Sequence, residues 1–269
     1  VAQPPLSCRK AWAKYNRKDQ SWMPLYRHLD DAACTAAALW DSWLPENAHR
    51  IIAEPFGNED DGMELARKLA IFVAAGHDIG KHSIPFATKA KPLRDEMKLE
   101  NADFDTPQFS QDELKQSPHS HYSALSFDEW IDAKVTKPTP KAVGAIMPIL
   151  AGHHGIFPTK SEVTGPKNYA SERKLHWHAE RFALWDRAAA TAGLTDGDLE
   201  VLATTPLTQT AQMVLTGFLI MSDWIASNQT FFPLDDTRSS WDRAQFALQR
   251  LRFPHRWQPA EPKDNQELF

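Results

Sequence analysis

The chain has 269 residues, 42% of them hydrophobic and 24% charged, with a formal net charge of −5. That length can bury a sizeable core and suits one large domain, and the ordinary apolar content excludes a chain too polar to fold. The acidic balance excludes a global attraction to nucleic acid, so any affinity for phosphate has to come from a local basic groove or a basic partner.

Two cysteines, Cys8 and Cys34, are too few for a disulfide framework and lack zinc-ribbon spacing. They read as reduced thiols. No stretch approaches the roughly 20 apolar residues of a membrane span. The start, Val1-Ala2-Gln3-Pro4-Pro5, has no signal-peptide core and no initiator Met. The expectation is a cytoplasmic protein without a membrane partner.

Helical periodicity dominates. Leu29, Ala33, Ala36, Ala37 and Trp40 share one helix face, as do Leu65, Leu69, Phe72 and Val73. A third helix is predicted from His119, after Pro118, carrying Phe127, Trp130 and Ile131. Pro140 suits the first turn of a fourth, with Val143, Ile146, Ile149 and Leu150 inside and Gly152 ending it. Residues 171–192 read as a long polar helix, 208–228 as a buried one and 239–252 as a last amphipathic one. Period-2 alternation is scarce, so the class is mostly α. Residues 92–118 and 155–170, broken by Pro and Gly, read as irregular loops. Residues 1–253 are expected to form the domain, and the Pro-rich 254–269 a linker.

The chemistry lies in an ordered series: His28, His77-Asp78, His121, His153-His154 and Asp223. Imidazole and carboxylate together suit iron, manganese, cobalt, nickel or zinc. His77 and Asp78, about 100° apart at a helix end, can serve two neighbouring sites. A carboxylate can bridge two cations, which makes Asp78 the expected bridge. Gly152 and Gly155 free the backbone around His153-His154. Asp223, in an apolar helix, needs a partner, and a metal is one. His119 competes with His121; the run Ser120-His121-Tyr122-Ser123-Ala124 favours His121. Lys81, Lys89, Lys91, Arg94 and Lys98 form the best local basic track, a candidate DNA path. Trp224 and the other tryptophans read mainly as core, with base stacking as the alternative.

This order resembles the HD superfamily. In detail it is similar to the HD nuclease domain of the CRISPR-associated helicase-nuclease of type I systems, most like subtype I-E. The resemblance rests on Tyr26-Arg27-His28-Leu29-Asp30-Asp31, His77-Asp78-Ile79-Gly80-Lys81, Ser120-His121-Tyr122-Ser123-Ala124, Gly152-His153-His154-Gly155 and Ser222-Asp223-Trp224-Ile225-Ala226-Ser227-Asn228 followed by Phe231-Phe232-Pro233. It implies an HD-type helical domain with a metal site between helices. One metal would take His28, His77, Asp78 and Asp223; the second would share Asp78 and take His121, His153 and His154. His77, Asp78 and Lys81 would be catalytic, with Lys81 beside the scissile phosphate.

The implied activity is hydrolysis of single-stranded DNA in antiviral defence, by two divalent transition metal ions and a bridging hydroxide. The implied partners are the DNA strand, a CRISPR surveillance complex and a helicase domain on the same or a separate chain, toward which 254–269 would lead. No phosphate-binding G-x-x-x-x-G-K-[ST] loop occurs in these residues. Two other readings compete: an HD-type nucleotide phosphohydrolase, and a non-catalytic module that docks a surveillance complex.

Overall fold

A computed structural model describes residues 9–100, 110, 112, 117–164 and 176–256; the side chains of 98–100, 160, 164 and 176 are not described. Cys8, the Lys98 side chain, residues 171–175 of the expected polar helix and the stretch 257–269 of the expected linker therefore lie outside the described residues.

The chain opens with a short antiparallel hairpin, β1 (Trp12–Tyr15) and β2 (Trp22–Pro24). A bulge between Trp12 and Lys14 shifts the register, so Trp12 faces Pro24 while Lys14 faces Met23. Helix α1 (Leu25–Ser42) follows directly, and its first amide, Leu25 N–H, donates to Ala11 C=O at 2.7 Å. Then come α2 (Glu46–Ala53), α3 (Asp60–Gly76), α4 (Ile84–Ala87), α5 (Lys91–Glu100), α6 (His119–Lys134), α7 (Pro140–Ala151), α8 (Lys160–Thr164), α9 (His176–Ala192), α10 (Asp196–Thr204), α11 (Gln209–Ser227) and α12 (Ser240–Leu251). The mostly α class is the one observed. No helix among the described residues is long and apolar enough to cross a membrane.

Helix α1 packs against α3, α11 and α12, while α6 packs on α7 and α9 on α3. The apolar face expected on α3 is the buried one: Leu65, Leu69, Phe72 and Val73 are all inside. Phe72, Phe127, Trp130 and Trp185 meet there, with ring centroids 5.4–6.4 Å apart. Helix α7 starts at Pro140 with Thr139 capping it and ends at Gly152.

Three expectations need correction. Residues 92–118 are not irregular throughout, because α5 occupies Lys91–Glu100. Pro92 sits in its first turn, where a missing N–H costs nothing, and Leu93 and Met97 bury one face. The 155–170 loop contains the short helix α8. Helix α9 is not a polar helix: Trp177, Leu184, Trp185 and Ala188 are buried, and so are Glu180, Arg181 and Arg187.

A buried pair ties the first helix to the last. Asp31 and Arg243 are fully enclosed, with Asp31 Oδ2 3.1 Å from Arg243 Nη1. Near the end of α1, His49 stacks on Trp40 at 4.3 Å, and its Nε2 lies 3.1 Å from Trp40 C=O.

Candidate metal centre

His77 and Asp78 emerge where α3 ends and the chain turns into a short 3₁₀ segment, Ile79–Lys81. Two glycines flank the doublet and let helices close on it. A Cβ on Gly76 would lie 2.1 Å from the Trp185 ring of α9. One on Gly80 would lie 1.9 Å from His119 C=O of α6. Gly80 N–H donates to Ser123 Oγ at 2.9 Å, which fixes the turn to α6. Behind the turn, His82 is hydrogen-bonded to Glu180, and Arg181 Nη1 donates to His82 C=O at 2.9 Å.

From this turn Asp78, only 2% exposed, divides its two oxygens between two sets of imidazoles. Oδ2 lies 3.0 Å from His28 Nε2 and 3.4 Å from His77 Nε2. Oδ1 lies 3.1 Å from His119 Nε2 and 3.5 Å from His153 Nε2. On the first side, Asp223 of α11 brings Oδ1 to 3.4 Å from His28 Nε2 and 3.3 Å from His77 Nε2, and Ser227 Oγ donates to that same oxygen at 2.8 Å. The potential ligand atoms of His28, His77, Asp78 and Asp223 all lie within 4.8 Å of one another. Those of His119, His153 and His154 do the same, with His119 Nε2 and His154 Nε2 3.1 Å apart.

His121 is not in this cluster; His119 holds the place expected for it. Two helical positions turn a side chain by about 200°, so only one of the pair can face the centre. Pro118 starts α6 one residue before His119, and the close approach at Gly80 turns that first residue toward Asp78. His121 lies instead near Glu162 of α8, which acts to raise its pKa against the lowering by burial.

The donor set fits divalent cations. His77 Nδ1 lies 2.8 Å from Ala74 C=O and His153 Nδ1 2.6 Å from Leu150 C=O. Each ring thus has a backbone acceptor for its Nδ1–H and turns Nε2 to the centre, the usual way a ligating imidazole is oriented. His77 Nε2, His153 Nε2 and Asp78 Oδ1 are buried yet have no partner in hydrogen-bond geometry among the described residues. Orphaned buried polar atoms converging on one space call for a bound cation.

The electrostatics agree. Burial opposes ionisation of Asp78, but Lys81 and His77 outweigh it and hold the carboxyl well below the usual range. Asp223 is held down likewise, against its burial, by His77 and His28. Burial would lower His77, yet Asp78 and Asp223 raise it to about 10. Burial wins for His119, lowered to about 4, and also lowers His28 and His154.

Lys81 stands beside the centre with Nζ 2.5 Å from Asp78 Oδ2. Lys81 and Lys89 both lie over the Phe86 ring, at 5.5 and 4.8 Å from its centroid. Lys91 is exposed, and Arg94 pairs with Asp95 at 2.6 Å. Trp224 is 65% exposed next to buried Asp223. The sequence reading missed Lys14 of the hairpin, a buried ammonium among these charges.

Helices that converge on a buried His-Asp doublet, with imidazoles on both sides of one carboxylate, define a metal-site helical domain of the HD type. The comparisons place it more closely. The chain belongs to the family of Cas3 HD domains, whose model, "Cas3, HD domain", matches residues 12–232. It is 29% identical over 277 residues to the CRISPR-associated nuclease/helicase Cas3 of Streptococcus thermophilus, covering 92% of this chain but only 28% of that protein. Among solved structures it is similar to a CRISPR-associated protein at 25% identity and a TM-score of 0.73, over 97% of this chain and 29% of that one. It shares its fold with the Thermus thermophilus cas3 HD domain in the presence of Ni²⁺, at 20% identity and a TM-score of 0.60, over 92% of each chain.

Proposed function

We propose that the chain hydrolyses phosphodiester bonds of single-stranded DNA in CRISPR antiviral defence, using two divalent transition metal ions. The observation that carries this reading is the division of Asp78: one oxygen faces His28 and His77, the other His119 and His153. One bridging carboxylate between two donor sets is what a pair of cations needs. When bound, such a pair supplies Lewis-acid activation of water and charge neutralisation at the phosphate.

The protein groups divide the remaining work. His28, His77, Asp78 and Asp223 hold one cation; Asp78, His119, His153 and His154 hold the other. The Ala74 and Leu150 carbonyls keep His77 and His153 oriented. Lys81 places positive charge where negative charge grows on the phosphate. Exposed Trp224 supplies a surface on which a base can stack. The strand is delivered by a helicase domain on the same or a separate chain, as the name nuclease/helicase of the Streptococcus thermophilus relative suggests, after a surveillance complex has opened its target.

The test is cleavage of labelled circular single-stranded DNA by metal-stripped protein re-supplied with Mn²⁺, Fe²⁺, Co²⁺, Ni²⁺, Zn²⁺ or Mg²⁺ separately, with Asp78→Ala as control. Cutting that needs a transition metal and Asp78 is the expected result. Absence of cutting at measured two-metal occupancy would overturn it in favour of a nucleotide hydrolase or a docking module.

A further inference from the structure

Lysine is among the residue types least often enclosed, because its ammonium loses hydration. Lys14 is half-buried, and its charged tip is the enclosed part. Its Nζ is buried and has no hydrogen-bond partner among the described residues. Burial and neighbouring Lys81 lower its pKa from 10.5 to about 8, while Asp223, Asp78 and Asp31 pull it upward. Its charge in turn acts on His28. The ammonium therefore lies within the field of the first donor set and of Lys81.

Its position is built rather than incidental. A regular strand would carry Lys14 on the same face as Trp12. The bulge between them breaks that alternation, a device that re-aims side chains beside functional sites. The open end of the hairpin, where Trp12 faces Pro24, is fastened next to the centre through both strands. Trp12 packs on Phe86 at 4.4 Å, and Phe86 meets His119 at 5.4 Å and lies under Lys81. The second strand runs through Pro24 into α1, which carries His28 in its first turns.

Of the three acids that compensate Lys14, Asp223 and Asp78 are assigned to cations in the reading above, and Asp31 is paired with Arg243. Once cations take up the charge of Asp223 and Asp78, Lys14 and Lys81 are two ammonium groups that repel one another with less compensation, which an anion between them would relieve. We propose that Lys14 is a second substrate-phosphate ligand of this site, its ammonium donating to a non-bridging phosphate oxygen of the bound strand beside Lys81. The assignment rests on the nuclease reading.

The experiment compares the metal-loaded wild-type chain with Lys14→Met and Lys14→Arg. Binding of a fluorescein-labelled, phosphorothioate-linked oligothymidine strand is measured at several salt concentrations, together with cleavage of circular single-stranded DNA, bound metal and thermal midpoint. Loss of one charge-assisted contact should weaken binding or kcat/KM roughly 10- to 100-fold in Lys14→Met. The slope of log Kd against log salt should become shallower by about 0.7, the share of one phosphate contact on a single strand. Lys14→Arg should recover most of both, with metal content unchanged throughout. Should Lys14→Met fail to fold, Lys14→Gln takes its place with the same expectation.

A folded uncharged variant with wild-type slope and kcat/KM overturns the assignment while the nuclease reading stands. So does one that loses only metal or stability, which would make Lys14 a counter-charge for Asp78 and Asp223. A wild-type chain that neither binds nor cuts the strand overturns the nuclease reading and this assignment with it.

Discussion

Gly80 and His119 touch so closely that a methyl group on the first would lie 1.9 Å from the carbonyl oxygen of the second. The contact is backbone against backbone, so no side chain can swing aside to relieve it. It sets the distance between the turn that carries Asp78 and the first residue of α6. Gly80→Ala is therefore expected to push α6 away and to spoil the His119 side of the centre more than the His28 side. On the two-cation nuclease reading proposed above, bound metal should fall from two equivalents toward one, and cleavage by at least about tenfold, since a displacement of about 1 Å is costly at a positioned site. Elemental analysis of the purified variant beside a cleavage assay checks this; two retained equivalents would count against it.

The exchange of His119 for His121 gives a sharper comparison. His119→Ala is expected to lower cleavage on the order of 100-fold or more and to release one equivalent of metal. His121→Ala should stay within a few-fold of wild type, because its ring lies by Glu162 and away from Asp78. The reverse ranking would put His121 back in the centre.

Asp31 and Arg243 form an ion pair with no exposed surface on either partner. Burial raises the Asp31 carboxyl to about 6, against the pull of Arg243. Removing Asp31 leaves buried Arg243 with the Pro233 carbonyl and the more distant Asp236 carboxylate at 3.8 Å, and no close counter-charge. Asp31→Ala should cost about 3–5 kcal/mol in a urea titration, whereas Asp31→Leu combined with Arg243→Met should cost much less and can even stabilise. Equal losses in the two variants would show that packing, not charge, sets the penalty.

His49 predicts an acid limb of stability. Burial, helped by the nearby positive charge of Arg256, lowers its pKa from 6.5 to about 4. Between those values the unfolded chain takes up a proton that the folded one refuses, so stability is complete above pH 6.5 and is lost as pH falls toward 4. The share of this one group is about 1–3 kcal/mol. His49→Gln can still donate to Trp40 C=O, yet cannot take up the proton. Its melting temperature should fall less steeply between pH 6.5 and 4.5 than that of the wild type; parallel curves would refute the assignment.

The long helices were legible because an apolar stripe such as Leu65, Leu69, Phe72 and Val73 carries its period over several turns. The hairpin was not, since strands of four and three residues hold too little alternation to register. Helix α5 was hidden by Pro92, which reads as a breaker unless its place in the first turn is known. In the centre, residue type and order singled out His28, His77, Asp78, His153, His154 and Asp223, the family resemblance sorted them into two sets, and the structure brings these six together. The choice between His119 and His121 could not, because it depends on where Pro118 starts the helix and how Gly80 meets it. Lys14 had no local signal: its proximity to Asp78 and Asp223 arises only when a bulged strand folds back beside α1.

The first donor set draws on residues 28, 77, 78 and 223. A chain leaving the ribosome exposes His28, His77 and Asp78 early, but Asp223 follows only after some 145 more residues, on the order of ten seconds of synthesis. Until then the set lacks its second carboxylate, and α11 is not there to close against α1. A nascent or truncated chain thus holds an unfinished centre, and any chemistry that needs the complete donor set waits for α11.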